Sequence, residues 1–316
     1  MIFAYLLLFL MIFLWSFNFI VVDIAVDYIP VLSISLYRFV FASIAFILID
    51  SFLKLRQVNK NIPKKNNKIS NYYWILIIAA SFVGQSLYFL TLYGSVNLIG
   101  PSLPALFVCL LSPVIIAILA IFFFDEKLNK VKIIGFIIAT IGGFLLVTGG
   151  DLSNLTPKSR NYLGYLLALI TPVQWGIYSI ITKKLCKHNS MFDILKYICY
   201  LATIELFFYV LLNGEMQIFV ENLFNLPVLL CGLYIGIVCH VIAYFIWQHS
   251  QQVLDSSKVA SFLYIEPFIT LIFSMILQRQ ETIVLWNIIG GLVVLCAVLL
   301  INKDTKTTSE CLVSES

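Results

Sequence analysis

Residues 69 to 124 run for 56 positions without a single Asp, Glu, Lys or Arg, and shorter charge-free blocks occupy 161 to 182, 222 to 254 and 282 to 302. A bilayer core about 30 Å thick is crossed by roughly 20 apolar residues of helix, so these blocks are long enough to span it. Charged residues make up only 11% of the 316 positions. A soluble domain carries about 25%, so the surface of this chain is too poor in charge to be covered by water. The expected class is an all-α polytopic membrane protein.

The pattern predicts ten spans, at about 2–22, 31–50, 71–92, 100–122, 132–149, 161–182, 192–212, 227–248, 258–278 and 283–301. The long block is divided by the turn signals of Tyr93-Gly94-Ser95-Val96-Asn97 with Gly100 and Pro101. Met1 onward reads as the first retained span, because a charged leader with a small-residue cleavage site is not visible.

One unit is written twice. Ser112-Pro113-Val114 leads after 13 residues from the proline to Glu126, and nine residues later to Gly135; Glu266-Pro267-Phe268 leads after 14 residues to Glu281, and nine later to Gly290. A repeat of five spans, an odd number, enters the membrane the second time with the opposite orientation. The domains expected are therefore a first repeat over 1–150, a linker over 151–158, a second repeat over 159–302 and a disordered cytoplasmic tail over 303–316. Inverted repeats enclose a midplane cavity that can face either side in turn.

Lys and Arg set the orientation. With the N-terminus in the cytoplasm, the connections on that side and the tail carry fifteen of them, from Lys54 to Lys306, against only Lys158, Arg160 and Arg279 on the other. Both termini are expected in the cytoplasm. The basic segment 51–70 is read as a loop that fixes topology and touches lipid head groups, with no nucleic-acid partner. The seven cysteines show no paired or metal-ligand spacing, so neither disulfides nor a metal site are expected. No GxxxxGK or GxGxxG occurs, so no nucleotide cofactor or hydrolysis is implied. The aspartates fall near span ends or in connections, which disfavours a paired-aspartate intramembrane protease, although His240 with a serine leaves an intramembrane enzyme open.

Polar groups inside spans mark candidate function. Arg38 needs a partner or aqueous access, and would attract a carboxylate on a solute; it could instead pair within the bundle or reach the interface. Glu266, before Pro267, fits either a proton-coupling group or a structural pair. His240 has Tyr244 and Trp247 at i+4 and i+7 on one face, and is either a titratable wall or a packed neutral ring. Gln85, with Ser81 and Gly84, makes a polar patch. Trp15 and Trp175 recur at matched places in the two repeats, and Asn18, one turn beyond Trp15, offers both a donor and an acceptor. Phe19, Tyr88, Tyr93, Tyr178, Tyr244, Trp247 and Tyr264 complete a possible aromatic wall, while Trp74 and Trp286 suit the membrane interface. Gly135, Gly142-Gly143 and Gly290-Gly291 are read as sites of close helix packing.

Several of these stretches carry a family resemblance. Leu14-Trp15-Ser16-Phe17-Asn18-Phe19, Leu36-Tyr37-Arg38-Phe39, Ser112-Pro113-Val114 with Asp125-Glu126-Lys127-Leu128, Trp175-Gly176-Ile177-Tyr178, Ile265-Glu266-Pro267-Phe268 and Gln280-Glu281-Thr282 are the marks. With them the chain resembles the drug/metabolite transporter superfamily in its ten-helix form of two EamA-type domains. Where such proteins have leucine-glycine-glutamate after the fourth span, this chain reads Phe124-Asp125-Glu126, and in the second half Arg279-Gln280-Glu281.

The resemblance implies a secondary transporter of a cell inner membrane, a monomer or homodimer without a cofactor. It implies export of amino acids or related small metabolites, with proton coupling a possibility. Nucleotide- or sugar-like metabolites, drugs, or lipid flipping are the alternatives the resemblance allows.

Overall fold

The computed structural model describes residues 2–59, 69–99, 102–151, 162–277 and 284–302. Helices α1 (Ile2–Val26) and α2 (Val31–Asn59) come first. A third long helix starts as α3 (Asn71–Ser81), widens to a π stretch over Phe82–Leu87 and resumes as α4 (Tyr88–Ile99). Then come α5 (Ser102–Phe124), α6 (Lys130–Thr148), α7 (Tyr162–His188), α8 (Met191–Leu212) and the short α9 (Met216–Glu221). The next span is α10 (Leu226–Leu233), a π stretch over Tyr234–Ile242 and α11 (Ala243–Val253). The last two are α12 (Ser256–Ser261) with a 3₁₀ turn (Phe262–Ile265) and α13 (Glu266–Ile276), and α14 (Leu285–Asn302).

Among the described residues, nine helical stretches are long and apolar enough to cross a bilayer. The nineteen residues of α6 add a further helix, about 28 Å long. The chain is an all-α, multi-pass integral membrane protein. Backbone groups in hydrocarbon must be satisfied internally, which leaves helices as the solution for segments so rich in exposed Phe, Leu and Ile as Phe9, Phe122, Ile137 and Leu299.

The third span differs from expectation. Tyr93-Gly94-Ser95-Val96-Asn97 is helical and the helix continues to Ile99; the expected turn residues Gly100 and Pro101 lie outside the described residues. One glycine does not end a helix whose neighbours pack, and Tyr93 is buried here while Ser95 bonds back to the Leu92 carbonyl at 2.7 Å. The stretch 152–161, Glu281, most of the basic loop and the tail after Asn302 also lie outside the described residues.

The two prolines of the repeated unit are absorbed differently. Pro113 stays inside α5. Pro267 stands in the first turn of α13, where its missing N–H would have had no helical partner, and the 3₁₀ turn precedes it.

Each half lends its first span to the other. Helix α1 packs on α11, α13 and the Tyr234–Ile242 stretch, and α7 packs on α4 and α5. Second spans face one another through α2 and α8, and last spans through α6 and α14. The last pairing is backbone-close: a Cβ on Gly290 would overlap the Leu146 nitrogen and stand 2.7 Å from the Gly142 carbonyl oxygen. Small residues permit that approach in a bilayer, where packing rather than hydrophobicity holds helices together.

Candidate functional site

The interior where α1, α2, α4, α5, α7, α11 and α13 meet encloses a cavity of about 40 Å³. Its wall includes Trp15, Asn18, Arg38, Tyr88, Trp175, Tyr244 and Glu266, seven of the twelve sequence candidates. The space suits one or two waters, well below the roughly 300 Å³ of a small-molecule pocket.

Arg38 is buried, at 2% exposure. Its Nη1 donates to Asn18 Oδ1 at 3.1 Å and to the Tyr93 hydroxyl at 3.4 Å, and its guanidinium lies 4.3 Å from the centre of the Phe89 ring. Among the described residues no carboxylate is within ion-pair distance, and Nε has no hydrogen-bond partner. The cation is thus held by dipoles and an aromatic face, which compensate it less fully than an anion would.

Glu266, 5% exposed, lines the same cavity, and its carboxylate accepts from the Cys109 thiol at 3.7 Å. Its backbone carbonyl accepts from the Ser16 hydroxyl at 3.1 Å, and the Thr270 hydroxyl donates to the Ser16 carbonyl at 3.2 Å, which fastens α13 to α1.

The aromatic wall is a connected cluster. Trp15 and Trp175, the matched pair of the two halves, meet edge to face at 5.4 Å; Tyr244 lies 5.6 Å from each, Trp247 completes the group, and Tyr178 stacks on Trp175 at 5.3 Å. The Trp15 indole donates to the Cys239 carbonyl inside the second π stretch at 3.1 Å. His240, in that stretch, lies against Tyr244 and Phe39 with Nδ1 unpartnered.

Gln85, in the first π stretch, is buried beside the hydroxyls of Tyr178 and Tyr244, with neither amide atom in good hydrogen-bond geometry. Tyr264 is elsewhere: its hydroxyl meets Thr140 on α6 at 3.1 Å and its ring faces Phe136. The guanidinium is held by Tyr93, which the sequence offers both for the aromatic wall and for a turn, and by Phe89, a phenylalanine inside the expected third span that no sequence signal singled out.

One end of the bundle is locked. Glu126 accepts from Lys183 Nζ at 3.0 Å, from the Ser256 and Ser257 backbone N–H groups at 2.7 and 3.2 Å, and from the Ser257 hydroxyl at 3.2 Å. Both charged side chains are 8% exposed. Burial pushes the Glu126 carboxyl up, but the Lys183 charge and the two N–H donors outweigh it and hold the group below its ordinary value. Lys132 pairs with Asp255 at 3.1 Å beside it.

Asp125, at the place where the resemblance implies glycine, has a φ of 54°, the left-handed region that glycine enters without strain and Asp tolerates. From the lock a polar ladder climbs toward the aromatic cluster: Gln252 bonds the Lys183 carbonyl, Gln248 bonds Thr182, and Gln251, with its amide turned so that the oxygen faces the Trp247 indole N–H, bridges Trp247 and the Ser179 carbonyl.

Elsewhere a wider hollow, about 340 Å³, is lined by Ile29, Pro30, Leu90, Gly94 and Glu215 among others. Helix α4 is common to its wall and to that of the central cavity. Lys196 on α8 is engaged by Asp50 and Asp193, away from the cavity. Among the described residues no group of three His, Cys, Asp or Glu side chains could hold a metal ion.

The comparisons with known proteins agree with this architecture. A solved crystal structure superposes with a TM-score of 0.71 over 95% of this chain and 96% of its own, at 16% identity, which speaks to the fold alone. An uncharacterized transporter of Archaeoglobus fulgidus is 26% identical over 172 residues, 54% of this chain and 57% of that protein. The uncharacterized transporter YyaM of Bacillus subtilis is 23% identical over 191 residues, 60% of each chain. The aligned stretches thus span 57% and 60% of the length of these curated relatives. The EamA-like transporter family model matches residues 2–148 and again 162–303, nearly the whole chain. This chain therefore belongs to the EamA-like transporter family, part of the drug/metabolite transporter superfamily.

Proposed function

We propose that the protein is a secondary transporter that moves amino acids or related small metabolites by alternating access, as an exporter across a cell inner membrane. The observation that carries this reading is a buried arginine that has no carboxylate partner among the described residues, in a cavity that also holds a buried glutamate. An α-amino acid supplies the missing partners: its carboxylate answers Arg38 and Asn18, its ammonium answers Glu266, and its side chain meets the Trp15, Trp175 and Tyr244 rings. Glu266 is also the candidate for exchanging a proton when the solute leaves. His240, Gln85, Tyr178 and Trp247 then form the layer behind the contact surface, and Tyr264 serves the α6 interface.

Two inverted five-span repeats, 1–150 and 159–302, fit the reciprocal packing of α1 and α7. Rocking of the halves would break the Glu126 lock and widen the central cavity. With the connection after α5 in the cytoplasm, that lock is the inner gate and both termini are cytoplasmic.

Counterflow tests the reading. Protein reconstituted in vesicles and preloaded with unlabelled amino acids should accumulate a labelled one. Arg38→Gln should raise its KM about 10- to 150-fold, the value of one charge-assisted hydrogen bond of roughly 1.5–3 kcal/mol. Vesicles that exchange no amino acid would discard this cargo.

A further inference from the structure

Glu205 is an acid in the interior of α8 that the cavity does not use. Seven residues, or about 10 Å, separate it from the Leu212 end. It is partly buried, and its neighbours Ile204 and Phe208 face outward. Oε1 accepts from Ser81 at 3.2 Å and Oε2 from Ser86 at 2.5 Å. Those two serines bracket Gln85: Ser81 ends α3, and Ser86 lies in the Phe82–Leu87 π stretch. The next helix begins at Tyr88, whose ring lines the cavity 5.5 Å from Trp175.

Most charged and titratable groups on the surrounding helices have partners of their own. On α2, Arg38 turns to Asn18, and Asp50 is paired with Lys54 and Lys196. On α7, Lys183 holds Glu126 and Lys184 reaches Tyr72 of α3. On α11, Tyr244 lies in the aromatic cluster, and His249 is the remaining titratable side chain. Among the described residues no Lys, Arg or His is within ion-pair distance of Glu205.

A carboxyl group placed this way has two states with different demands. Ionised, it accepts from both serines. Protonated, one oxygen becomes a donor and one serine loses its acceptor. A π stretch holds its carbonyls at i→i+5 and is a frequent feature of functional sites. Relaxing it to α geometry shifts the register by one residue, about 100° of rotation for the side chains beyond it.

We propose that Glu205 is a proton-binding site outside the cavity, whose charge state sets the register of the Phe82–Leu87 stretch and so the placement of Gln85 and Tyr88 in the cavity. The step is simple: a hydronium ion gives its proton to a Glu205 oxygen, its O–H bond breaking to leave water as the carboxyl O–H forms, and Ser86 or Ser81 turns its hydroxyl to a helix carbonyl. The link to transport rests on the cavity being the solute site; the proton site itself does not.

The test needs no solute. Purified protein in lipid nanodiscs is titrated by infrared difference spectroscopy in the protonated-carboxyl region and, in parallel, by tryptophan fluorescence. The expected result is a carboxyl band and a fluorescence change with one shared midpoint, both missing in Glu205→Gln and both retained in Glu266→Gln. Ser86→Ala, which removes one donor and keeps the acid, should displace that midpoint by about 1 pH unit. Titrations unchanged in both Glu205→Gln and Ser86→Ala would overturn the proposal. Counterflow that fails for every amino acid while Glu205 still titrates would refute the cargo and leave the proton site standing.

Discussion

Replacing Glu126 with glutamine keeps the shape of the lock and removes its charge. The carboxylate receives Lys183 and two backbone N–H groups at 2.7–3.2 Å, all of them donors. A glutamine amide offers one oxygen to these donors and turns its NH₂ against the rest. A hydrogen bond to a charged group contributes roughly 1.5–3 kcal/mol, and the pair, 8% exposed on each side, is little screened.

Because the pair is little screened, the loss falls in the upper part of that range, and the closed end weakens by about 2–3 kcal/mol, a factor of roughly 30–150 in the open-to-closed ratio. Ser250 on α11 is fully buried beside the glutamine ladder, and Ser250→Cys in a background without the native cysteines reports the opening. An impermeant thiol reagent applied from the Lys127 side should label it about 30–150 times faster with Glu126→Gln than without. Equal rates in the two proteins would refute the assignment of Glu126 and Lys183 as a gate.

The pH dependence has a definite sign. The folded carboxyl lies below its ordinary 4.5, so its contribution is complete above that pH and is lost as pH falls through the lowered value. Labelling at Ser250→Cys should therefore be flat from neutral pH down to about 4.5 and rise only below it.

Two further outcomes follow from local geometry. Gly290→Ala puts a methyl group against the α6 backbone, so the α6–α14 pair must separate; thermal unfolding in detergent should show a loss of about 1–3 kcal/mol. Asp125→Gly should be tolerated, whereas Asp125→Val, β-branched at a φ of 54°, should cost about 1–2 kcal/mol by the same measurement.

Much of the fold was legible because hydrocarbon imposes a simple code: charge-free blocks became helices whose starts lie within two residues of expectation, while several ends run further, α2 to Asn59 and α7 to His188, because a helix continues past the hydrocarbon edge into polar residues. Trp15 and Trp175 were legible too, since a residue type recurring at matched depth in two halves is a spatial statement. Arg38 was recognisable as a buried cation that needed company, but its company was not, because Asn18, Tyr93 and Phe89 come from two other helices.

The π stretches left no pattern in the sequence. Each holds a glycine at a close approach from another helix, Gly84 against the Tyr178 side chain and Gly236 against the Arg38 carbonyl, and such approaches are spatial rather than sequential. Glu126 was noticed as a repeat marker, and its partners Lys183 and Ser256 lie in the other half of the chain. Tyr264 looked like a cavity residue by composition, and the 3₁₀ turn carries it to Thr140.

The claim beneath all of this is that the space around Asn18 opens to each side of the membrane in turn. Asn18→Cys in a cysteine-free background, exposed to an impermeant thiol reagent in right-side-out and in inverted vesicles, measures that directly. Labelling from both faces, slowed in both cases by a transported amino acid, is the predicted result. Labelling from one face alone, or at a rate that saturating solute leaves untouched, would contradict it.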